Sequence, residues 1–124
     1  MTPEVQHFAF ASLPVRHVND KTERSMVSGE SGTIGHFVYQ KGAVIPRHHH
    51  VNEQYSLILK GSVVVRLDDR EILVKAGEGI LIPPNVWHEF ESLEDGTIDL
   101  DFFTPRRQDW LDGTDTYSAG TPAS

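Results

Sequence analysis

Histidine supplies most of the chemistry available to this sequence. His48, His49 and His50 are consecutive and lie mid-chain, after Gly42-Ala43-Val44-Ile45-Pro46-Arg47. Imidazole binds metals and carries protons, but three adjacent histidines also fit a solvated loop or satisfied structural positions. The residues that follow raise the case for a metal. If the backbone is extended from His48, side chains alternate. His48, His50, Asn52, Gln54, Ser56 and Ile58 then share one face, and His49, Glu53, Tyr55, Leu57 and Leu59 the other. The amide of Gln54, and not the carboxylate of Glu53, falls in line with the histidines. Cysteine is absent, which excludes thiolate metal sites, thiol catalysis and disulfides and leaves His, Gln, Asp and Glu as strong candidate ligands.

A second polar cluster follows Gly77 and reads Glu78-Gly79-Ile80-Leu81-Ile82-Pro83-Pro84-Asn85-Val86-Trp87-His88. A single histidine after a turn is commonly structural; it is the two clusters together that carry a pattern. The first runs Gly42, five residues, His48, one, His50, three, Gln54, six, Gly61. The second runs Gly77, five, Pro83, one, Asn85, two, His88, three, Ser92. Together they resemble the paired motifs of the cupin superfamily at nearly every fixed point, with Gln54 for the usual glutamate, Asn85 for a glycine and Ser92 for an asparagine. Asn85 can still take the left-handed backbone that a glycine would supply. The resemblance, in register from Gly42 to Ser92, implies an all-β chain folded as one small cupin jelly-roll β-barrel, or double-stranded β-helix. It also implies a divalent metal held by His48, His50, Gln54 and His88.

Of the three departures only Gln54 touches that chemistry. A carboxylate ligand lowers the charge of a site and stabilises higher oxidation states, whereas a neutral amide leaves three imidazoles with the full dipositive charge. This biases the site toward Lewis-acid work over one-electron oxidation. Three imidazoles and an amide suit nickel, zinc, iron, cobalt and manganese to differing extents. The segment Leu100-Asp101-Phe102-Phe103-Thr104-Pro105-Arg106-Arg107-Gln108-Asp109-Trp110-Leu111 resembles the closing segment of the pectin-degradation cupins called KdgF, which also favour Gln after a His-x-His pair. That resemblance implies opening of a 4,5-unsaturated monouronate to its linear keto form. Asp101 is then the proton-transfer residue, and Phe103 and Arg107 are cavity or substrate contacts. Two other functions compete: an iron-dependent dioxygenase of a small organic substrate, and a non-catalytic cupin that binds a sugar or another small ligand. The lack of any DNA-binding segment counts against a sensor fused to a regulator.

The elements that must position these residues read as short strands rich in β-branched and aromatic side chains. They run Thr33 to Gln40, Gln54 to Leu59, Ser62 to Leu67, Arg70 to Lys75, Gly79 to Ile82, Trp87 to Ser92 and Thr97 to Thr104. Asp68-Asp69 marks a tight hairpin, Lys41-Gly42 and Lys60-Gly61 punctuate, and Pro83-Pro84-Asn85 forces an irregular loop. No sustained helical periodicity is visible. Within 97–104, Ile98, Leu100 and Phe102 alternate with Asp99, Asp101 and Phe103. Pattern alone would bury the aliphatic set and solvate the aspartates. The opposite orientation requires the aliphatic set to be covered, for example at a homodimer interface, and Tyr55, Leu57 and Leu59 opposite the ligand face lend that some support.

A chain of 124 residues makes one domain. Residues 1–32 are expected to be strand and loop packing on the barrel or on a partner, with Ser28 to Gly32 a loop, 33–112 the barrel and 113–124 a flexible tail. Lys and Arg are scattered and the net charge is −7, so no nucleic-acid footprint is present. A small anionic or sugar-acid substrate remains compatible, because a buried dication and one or two arginines outweigh a distant negative surface. The N-terminal residues lack a signal peptide's basic start and apolar stretch, and no apolar run reaches membrane-spanning length. The expectation is a cytoplasmic protein without a membrane partner.

Overall fold

The computed structural model describes residues 4–115. Strands dominate: β1 (Arg16–Asn19), β2 (Thr22–Ser28), β3 (Thr33–Tyr39), β4 (Val44–His48), β5 (Glu53–Lys60), β6 (Ser62–Arg66), β7 (Glu71–Lys75), β8 (Gly79–Ile82), β9 (His88–Ser92) and β10 (Thr97–Thr104), followed by a short helix α1 (Gln108–Asp112). All neighbouring strands are antiparallel, in a six-stranded sheet of order β1-β2-β3-β10-β5-β8 and a four-stranded sheet of order β4-β9-β6-β7. The two sheets enclose a core of Phe37, Tyr39, Ile45, Ile58, Val63, Val65, Val74, Ile82 and Phe90, the jelly-roll arrangement expected.

The seven strands read from pattern all occur, with ends shifted by at most one residue. The Asp68-Asp69 turn closes through Leu67 N–H donating to Arg70 O at 2.8 Å. Asn85 takes φ 63° in the loop after Pro83-Pro84, the left-handed conformation that asparagine tolerates.

Four elements were not individually legible. β4 contains Pro46, which argues against a central strand, and β4 indeed lies at the edge of its sheet. β1 and β2 lie in the 1–32 segment and extend the larger sheet through β3. The helix α1 spans a little over one turn, too short for periodicity, and is anchored by Trp110 rather than by propensity. Trp110 is buried against Phe37 and Phe103, and Gly35 on β3 makes room, since a Cβ there would come within 2.9 Å of the indole. Of the expected flexible tail, Asp115 is buried and ion-paired to Arg16 and Arg24, and 116–124 lie outside the described residues.

Candidate metal centre

His48 ends β4, His88 opens β9, and the two pair directly across the smaller sheet. His50 lies in the loop that carries the chain from β4 to β5, hence from one sheet to the other. The alternation expected from His48 persists through that loop although it is not strand. His48, Asn52, Gln54, Ser56 and Ile58 are buried, His50 is partly buried and His49 is exposed. Asn52 holds the loop in place, its Nδ2 donating to Pro105 O at 2.6 Å and Arg106 O at 3.1 Å. His49 turns away and lies edge-on against Trp87.

The three imidazoles of His48, His50 and His88 bring one nitrogen each within 4.8 Å of the others. In every case Nδ1 faces a backbone carbonyl two residues away: Pro46 O at 2.7 Å, Asn52 O at 3.0 Å and Val86 O at 2.8 Å. A carbonyl can only accept, so each Nδ1 carries the proton and each Nε2 presents a lone pair, the usual outer-shell arrangement of metal-binding histidines. Burial disfavours the imidazolium forms. It pushes His48 down to about 2, helped by the neighbouring His88, and His50 and His88 down to about 4, helped by the charge of Arg107. All three are neutral at pH 7 and competent as ligands.

Two observations show that this donor set suits a cation. His88 Nε2 is buried without a hydrogen-bond partner, a costly state for a ring nitrogen. Gln54 Oε1 lies 3.0 Å from His50 Nε2, so two acceptors face each other with no proton between them. Three imidazole nitrogens and an amide oxygen match the chemistry of a divalent transition ion.

β10 runs beside β5 with Asp101 opposite Ser56 and Phe103 opposite Gln54. The aspartates face inward and Ile98, Leu100 and Phe102 outward, against what amphipathic pattern alone dictates. Asp101 is buried and receives a long hydrogen bond from Gln54 Nε2, 3.4 Å. Burial raises its pKa, while hydrogen bonds from Asp99 and Ser56 and the charge of Arg107 oppose the rise. Asp99 sits deeper, accepts from Tyr39 Oη at 3.0 Å and is raised well above the carboxylate range by burial and by Asp101 beside it. Two buried like charges are mutually unfavourable, and the stronger upward push falls on Asp99.

Phe103 is buried, edge-on to His50. Arg107 is buried with its guanidinium over the rings of Phe103 and Trp110, and it donates bidentately to Asp109 at 2.8 and 2.9 Å. Its backbone N–H donates to Thr33 Oγ1. His48, Gln54, His88, Asp101, Phe103 and Arg107 share one cavity of about 20 Å³, room for about one water molecule or ion. Sequence reasoning singled out all of these. It placed Asp99 on the face of Asp101 without a role, and it gave none to Tyr39, which needs strand pairing to be known, or to Asp109, which needs the direction of the Arg107 side chain. It placed Ser56 on the ligand face without a role.

The Cupin domain profile matches residues 35–102. The chain belongs to the cupin family. Among curated proteins, this cupin is 26% identical over 108 residues to the pectin degradation protein KdgF of Dickeya dadantii (strain 3937), covering 86% of this chain and 98% of that protein. KdgF from Halomonas sp. superposes with a TM-score of 0.80 at 22% identity, over 86% of this cupin and all of that chain. An RmlC-like cupin from Shewanella frigidimarina NCIMB 400 gives 0.77 at 26% identity, over 86% and 96% of the two chains. The cupin is thus KdgF-like. Among the described residues, no helix is long and apolar enough to cross a membrane.

Proposed function

We propose that this cupin opens a 4,5-unsaturated monouronate to its linear keto form, with a divalent metal held by His48, His50, Gln54 and His88. The observation that carries the reading is the buried Asp101 within hydrogen-bonding reach of a neutral Gln54 in a His-lined cavity, in a chain similar to KdgF along most of its length. The chemistry that a bound divalent ion supplies is Lewis-acid polarisation of a substrate oxygen.

The remaining work falls to this chain's side chains. Asp101, poised between burial and the hydrogen bonds that oppose it, moves the proton that turns the enol into the ketone. Arg107 adds positive charge at the cavity wall for an anionic substrate, with Asp109 holding its guanidinium in place. Phe103 shapes the cavity and keeps water from the reacting atoms. A cavity of about 20 Å³ admits an ion but not a sugar ring, so binding a monouronate requires it to widen.

The same reading includes a homodimer, supported by the apolar outer face of β5, β8 and β10, and a cytoplasmic location, supported by the absence of cysteine. The test of the activity is incubation of metal-loaded protein with unsaturated galacturonate while the double-bond absorbance is followed. Accelerated loss is expected, and a rate equal to that in buffer refutes the assignment.

A further inference from the structure

A primary amide has two ends of nearly equal size, and only its hydrogen-bond partners decide which end faces the imidazoles. In this cupin the Nε2 end of Gln54 points away from them, donating to Ser56 Oγ at 2.9 Å and to Asp101 Oδ2 at 3.4 Å. The Oε1 end lies 3.0 Å from His50 Nε2. Without a cation this is the less comfortable choice, because the reversed amide would donate an N–H to the His50 lone pair. Something must hold the amide against that reversal.

Ser56 is fully buried on β5, two residues after Gln54 and on the same face, directly across from Asp101 on β10. Its Oγ and Asp101 Oδ2 are the two acceptors that the Gln54 Nε2 end reaches. A reversed amide would lose both bonds and set its carbonyl against the Asp101 carboxyl. Asp101 alone is a weaker brace, since its own contact with the amide is long.

We propose that Ser56 is a positioning residue of the metal site: its hydroxyl, together with Asp101, fixes the Gln54 amide with the oxygen turned toward His50. The inference rests on the metal-binding reading above, and it also accounts for an amide at a position where cupins usually carry glutamate. A carboxylate at 54 would face Asp101, whereas the amide donates to it.

The test is a cycle of Ser56→Ala and Gln54→Glu, in which cobalt(II) is titrated into each full-length protein and binding is read from the visible ligand-field bands. Ser56→Ala in the parent should weaken cobalt binding about tenfold, the lower end of the range for residues that orient metal ligands, and should alter the bands. A carboxylate has two equivalent oxygens and needs no such orientation. In the Gln54→Glu background the same change should therefore leave affinity within about twofold of its reference, allowing for the usual error of additivity. Equal cobalt affinity for Ser56→Ala and parent overturns the inference. So does an equal loss in both backgrounds, which would mean that the hydroxyl merely fills space. A parent protein that takes up no cobalt overturns the metal reading itself, and the inference with it.

Discussion

The two faces of β5 and β10 reverse the arrangement usual for a sheet with one solvated side. Their inner face carries Gln54, Ser56, Asp99 and Asp101, all buried. Their outer face, with β8, carries Tyr55, Leu57, Leu59, Leu81 and Phe102, each between 40 and 55% exposed. Burying polar groups costs free energy unless each finds a partner. The inner face meets that demand incompletely, for Asp99 Oδ1 and Asp101 Oδ1 have none, and neither does His88 Nε2 on β9 of the other sheet. On the proposed function, such a face is retained for chemistry rather than for stability. Exposing a continuous apolar surface is unfavourable in a different way, and it marks a place where another surface docks. On the proposed reading, one pair of strands serves a reaction inside the barrel and an association outside it.

The largest effect is expected on the inner face. Asp101→Asn should cost at least about a hundredfold in the rate of double-bond loss, as expected for removal of a general acid or base, while metal content and folding stay nearly intact. A fully active variant would mean that the inner carboxyl is only structural. Acid should reach the same face through the histidines. Because burial lowers His50 and His88 to about 4, their lone pairs stay available well below the ordinary imidazole range. Apparent affinity for a divalent ion should therefore hold from pH 7 to about 5 and fall as pH drops through about 4. Elemental analysis after equilibration at each pH reads this directly, and loss beginning near pH 6.5 would show that the imidazoles are solvated.

The outer face is tested by Leu57→Glu, which sets a charge in the middle of the apolar patch. Sedimentation should shift from dimer to monomer at micromolar concentration, with metal content unchanged. A monomeric parent would assign that face another use. The smallest effect is expected for Asp99→Asn. Its amide can still accept from Tyr39 and donate to Asp101, so stability should change by about 1 kcal/mol or less in a denaturant titration. A large loss would show that the charge of Asp99, and not its proton, matters.

Much of this cupin was legible in its residues. Local rules are strong where a side chain's direction follows from its own backbone, so the alternation from His48 to Ile58 separated Gln54 from Glu53, and the turn residues bounded seven strands. The paired motifs carried the fold and the clustering of His48, His50 and His88. Tertiary structure decided what depends on partners distant in sequence. Which face of β10 turns inward could not be read from its alternation, because both faces are covered or apolar and hydrophobicity no longer distinguishes inside from outside. The pairing of Asp101 with Ser56, and of Asp99 with Tyr39, needs the register of β10 against β5 and β3. Helix α1 exists because Trp110 finds a slot over Gly35, a contact that no local preference in five residues could announce. The sequence by itself determined which atoms could bind and react; the tertiary structure alone decided which of them meet, because long-range pairing, not local propensity, sets the distances between strands.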